Sequence, residues 1–79
     1  MPDYDRVRAA HQAAAISAHE AAELLNRAAW WRTTDYADHR DRERADYLAA
    51  IGALTHAITA AADAAAQLGP VTGDSWTGA

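Results

Sequence analysis

The chain has 79 residues, 51% of them apolar, but 23 are Ala and Phe is absent, so little bulk remains to fill a core. A chain this short rarely gains more than about 3–5 kcal/mol from one core unaided, and with no Cys it has no disulfide, thiolate metal site, iron–sulfur cluster or cysteine nucleophile. The net charge of −4, with every positive residue Arg, speaks against nucleic-acid binding, which needs a one-signed basic patch to displace counterions from phosphates.

The N-terminus, Met1-Pro2-Asp3-Tyr4-Asp5, is acidic and has no apolar stretch of the secretory type. Pro2 and Asp3 suit a helix start, because Pro lacks an N–H that would be orphaned there and Asp opposes the helix dipole. No Gly or Pro occurs between Asp5 and Gly52, and the spacing predicts a first helix over about residues 3–32. Its apolar and small residues recur at alternating steps of three and four: Val7, Ala10, Ala14, Ser17, Ala21, Leu24, Ala28 and Trp31. The segment Trp30-Trp31-Arg32-Thr33-Thr34-Asp35 interrupts this pattern. It predicts a turn at 33–34, with Thr34 or Asp35 capping the next helix.

A second helix is predicted over about 35–68, stopping at Gly69-Pro70. Its large apolar residues follow the same rhythm: Tyr47, Ile51, Leu54, Ile58, Ala61, Ala65 and Leu68. Folded antiparallel, the two stripes pair small residues with large ones, Val7 with Ala61, Ala10 with Ile58, Ala14 with Leu54, Ser17 with Ile51 and Ala21 with Tyr47. That arrangement also sets Arg27 near Glu43. The expected fold is all-α: an antiparallel, coiled-coil-like helical hairpin over 1–68. The segment 69–79, with three Gly, one Pro and Trp76, reads as a flexible tail. One layer of helices encloses no core, so the hairpin is expected to complete a four-helix bundle by dimerisation.

The residues that carry chemistry are few. His11 and His56 are expected to be neighbours on one flank, but no third ligand is at hand, and no strict Glu-x-x-His pattern exists for a di-iron bundle. Ser17 and Ser75 belong to no nucleophile-elbow pattern, and there is no Gly-rich phosphate loop. Neither enzymatic activity nor a cofactor or metal is expected. Trp30 and Trp31 point about 100° apart on a helix: Trp31 falls in the stripe, and Trp30 is left as an anchor for another protein. The opening of the second helix is dense in charge, from Asp35 through Arg40, Arg42 and Arg44 to Asp46. The candidate interface is therefore Trp30, Trp31, Tyr36, Leu25, Leu48, Ile16, Arg40 and Arg44, with Trp76 as a possible tail contact.

In its short, acidic, Ala-rich hairpin and aromatic turn, residues 5–68 resemble the WXG100 class of small bacterial secretion substrates. The resemblance covers architecture and not motif. The turn reads Trp30-Trp31-Arg32 where that class has Trp-x-Gly, and the tail has no Tyr followed four residues later by an acid, so no residue role is implied. The residues themselves point to a non-enzymatic protein–protein interaction module: a small adaptor or regulator, or a phage-type inhibitor. It would be a homodimer or part of an obligate hetero-complex, with no nucleic-acid or membrane partner. Alternatives are a helical leader presenting residues 71–79 for modification or docking, a small secreted hairpin, and a metal-binding bundle. No apolar run approaches the roughly 20 residues that span a bilayer, which with the N-terminus gives a cytoplasmic expectation. Arg without Lys, amid so much Ala, suggests a GC-rich bacterial or phage gene.

Overall fold

The computed structural model describes residues 2–33 and 39–69. Two helices, α1 (Tyr4–Arg32) and α2 (His39–Leu68), pack against each other along their lengths. At the start of α1 the Asp3 carboxylate accepts from the backbone N–H of Arg6 at 3.1 Å, which satisfies one of the donors a helix start leaves open. Thr33 closes the other end: its N–H and its hydroxyl both donate to the Trp30 carbonyl. Helix α2 ends on Gly69, whose φ of +74° lies in the left-handed region that Gly enters without a Cβ clash. Its N–H donates to the Ala66 carbonyl. The expected cap at Thr34 or Asp35 lies outside the described residues.

Helix α1 presents the stripe read from the sequence. Ala10, Ala21 and Ala28 are buried, and Val7, Ala14, Ser17, Leu24 and Trp31 are half-buried. Helix α2 does not. Its buried line is Asp46, Ala50 and Ala53, continued by half-buried His39, Glu43, Ala57, Ala60, Ala64 and Gln67. This is a heptad rhythm one residue out of phase with the expected one, so α2 is turned about 100° from the predicted orientation. The large residues assigned to the seam are outside: Ile51 is 59% exposed and Ile58 69%, with Tyr47, Leu54 and Leu68 also exposed. The small-against-large pairing of Ala10 with Ile58, Ala14 with Leu54 and Ser17 with Ile51 is therefore wrong, and the seam is Ala against Ala.

The register also differs. Arg27 binds Asp46, not Glu43, and Glu43 is taken by Arg32. Arg6 forks onto Asp63 at 2.8 and 3.3 Å near the open end. These three arginine–carboxylate pairs fix both the rotation and the slide of α2, since Asp46 and Glu43 reach α1 only if their side of α2 faces it. Methyl side chains along the seam are small enough for two helix axes to approach closely. The seam buries little: among the described residues no large side chain is completely enclosed.

Candidate interaction surface

At the turn end the residues around the Trp pair form one cluster. Trp31 leans edge-on against Trp30, with ring centroids 4.8 Å apart, and against His39 at 4.6 Å. The guanidinium of Arg42 stands 5.1 Å above the Trp31 ring, within reach of a cation–π attraction. Beneath them is Asp46, 6% exposed. Its carboxylate accepts two bonds from Arg27, at 2.7 and 3.0 Å, and a third from the Trp31 indole N–H at 2.8 Å. A carboxylate out of water demands such partners. The hydrogen bond from Arg27 does most to hold the Asp46 pKa below its ordinary range, with Trp31 adding to it and burial opposing. The same bond raises Arg27 above its usual value. Alongside, Arg32 bridges Glu43 and the Tyr47 hydroxyl, and the carboxylate of Glu43 is the first cause of its raised pKa.

Of the residues singled out from the sequence, Trp31 is half-buried in this cluster and Trp30 packs on it, while Arg40 and Arg44 are exposed. Tyr36 and Trp76 lie outside the described residues. Ile16, Leu25 and Leu48 are exposed but do not share one face. Leu25 lies on the flank toward Tyr47 and Leu54, Ile16 on the opposite flank with Ala13 and Glu20, and Leu48 on the back of α2. Sequence reasoning missed Asp46, whose signal was an acid in phase with the Ala line of α2, opposite an in-seam Trp whose N–H needs an acceptor.

The two flanks of the hairpin differ in chemistry. One groove is lined by Arg6, Ala13, Ser17, His56, Thr59 and Asp63, the other by His11, Ala15, Ala18, Leu54, Ile58 and Ala61 among others. His11 and His56 thus face different grooves, which corrects the expectation that they are neighbours. Among the described residues no group of three or more metal-ligating side chains is gathered. The apolar groove opens onto a continuous stripe of α2, from Tyr47 through Ile51, Leu54 and Ile58 to Leu68. Helix α2 is also long and apolar enough, by length and composition, to cross a membrane, with a mean hydropathy of 1.4 over its most apolar stretch. This corrects the statement that no run approaches such a length.

No protein-family profile, no curated protein and no solved structure matches the chain.

Proposed function

We propose that this chain is a non-enzymatic protein-interaction module: a small helical adaptor, regulator or inhibitor that completes a four-helix bundle and acts by binding another protein. The supporting observation is the inversion of its apolar side chains. Alanines fill the seam while, among the described residues, ten large apolar side chains stand exposed, including Trp30, Ile51 and Ile58. A run of such residues on one flank exceeds the scattered exposure normal for a monomer and marks a binding surface. Trp30, 56% exposed and stacked between Trp31 and His39 at the end of the hairpin, has the character of an interface anchor.

Native affinity purification from the source cell tests this reading. The intact chain should retain a specific protein. Trp30→Ala, with Arg40 and Arg44 reversed to Glu, should lose it while circular dichroism stays unchanged. Retention of the same proteins by that variant counts against the turn-end surface, and retention of none by either chain counts against the module.

Residence in the cytoplasm belongs to the proposal. The apolarity of α2 favours a second reading, membrane insertion. It would strip Asp46 and Asp63 of their arginine partners on α1, at the cost of placing acids in hydrocarbon. Alkaline extraction of cell membranes separates the two, since an inserted α2 stays in the pellet.

A further inference from the structure

We infer that the occupant of the apolar flank is a second copy of this chain, laid with its turn end at the same end of the bundle. Each α2 then rests on the partner's α1. This inference rests on the interaction-module reading and specifies one partner for one face.

Three observations carry it. The first is the confinement of the apolar surface. On this flank α2 presents Tyr47, Ile51, Leu54, Ile58 and Leu68, and α1 presents Leu25 among exposed alanines. Between His11 and Arg32 on α1, and beyond Tyr47 on α2, no charged residue falls on this side. The opposite flank carries Arg6, Glu20, Glu23, Arg27, His56 and Asp63. Exposed Ile16 and Trp30 lie on that side too, but charges interrupt it, so the continuous apolar stripe belongs to one flank.

The second is extent. Leu25, Tyr47, Ile51, Leu54, Ile58 and Leu68 are each between 36% and 69% exposed, and together they run the length of α2 beyond Tyr47, a larger apolar face than a stable monomer leaves in water. The third is relief. The α2 half of the flank stands high, on Ile and Leu, and the α1 half is low, on Ala15, Ala18, Ala22 and Ala29. A rotation of half a turn about an axis parallel to the helices brings each high stripe onto a low one, filling both halves at once. Laid the other way, with turn ends opposed, high meets high and low meets low, and a gap opens over the alanines. The chosen arrangement also makes every neighbouring pair of helices antiparallel.

The test uses the full chain. Sedimentation equilibrium should give twice the 8.5 kDa protomer mass. Since the chain has no Cys, Asp41→Cys at the exposed start of α2 takes a single spin label per protomer. Pulsed dipolar spectroscopy should then report about 25–35 Å, the span of two helices about 10–12 Å thick lying diagonally across the bundle, with their labels. Opposed turn ends would give about 45 Å, the length of a 30-residue helix. Ile58→Asp should weaken self-association by about 100-fold or more, as an unpaired carboxylate buried in an interface does. Gly52→Ala should leave it intact, because a Cβ there meets nothing within 4 Å and lies off the apolar flank.

A doubled mass with the long distance overturns the orientation. Loss of association in Gly52→Ala but not in Ile58→Asp overturns the face. A protomer mass with helicity retained overturns the second copy, while the interaction-module reading then stands or falls on the affinity purification, which reads capture of another protein and not self-association.

Discussion

Asp46 is the residue on which the hairpin's rotation turns. It sits where an Ala would otherwise continue the seam, and it is retained there by Arg27 and the Trp31 N–H. Because its pKa is lowered in the folded chain, the unfolded chain binds a proton more readily. The stability it contributes is therefore present above the unfolded carboxylate value of 3.8 and is lost as pH falls through the lower folded value. Urea titrations followed by circular dichroism at pH 6 and at pH 3 should show the wild type losing stability on acidification. Asp46→Asn should be less stable at pH 6 and lose less between the two pH values. Equal losses in the two chains would show that Asp46 does not contribute to acid sensitivity.

The two helices are matched at the level of elements by smallness. A seam of methyl groups gains little per residue from burial, at about 25 cal/mol per Å², but it tolerates no enlargement. Ala28 is completely buried beside the Trp cluster, and Ala28→Leu should destabilise the hairpin by about 1–3 kcal/mol through overpacking. A shift of the urea midpoint at unchanged slope is the measurement. The same change at Ala29, one residue round and exposed, should be close to neutral in the isolated hairpin. The arginine pairs fix the alignment that the alanines alone leave unspecified, since one methyl group is much like the next.

As a whole molecule the chain carries its bulky side chains where a monomer cannot use them. An Ala seam is too little for independent stability in a chain of this size, so folding and association are expected to be coupled. The midpoint of thermal unfolding should then rise with protein concentration. A midpoint constant from 1 to 100 μM, with a cooperative transition, would show that the hairpin stands alone.

Helix content and the overall hairpin followed from sequence-local physics: the Gly- and Pro-free run from Asp5 to Gly52, the Asp3 cap, the Gly69 stop and the three–four rhythm of α1. These depend on backbone propensities and on neighbours three or four residues apart, which a sequence displays directly. What it left open was which side of α2 faces α1. That helix carries two heptad lines one residue apart, Asp46-Ala50-Ala53-Ala57 and Tyr47-Ile51-Leu54-Ile58, and periodicity is the same for both. Bulk favours turning the second line inward. Only the three-dimensional arrangement of Arg6, Arg27 and Arg32 against Asp63, Asp46 and Glu43 settles the matter, because those pairs join residues far apart along the chain. They assign the small line to the partner helix and leave the large line on the surface.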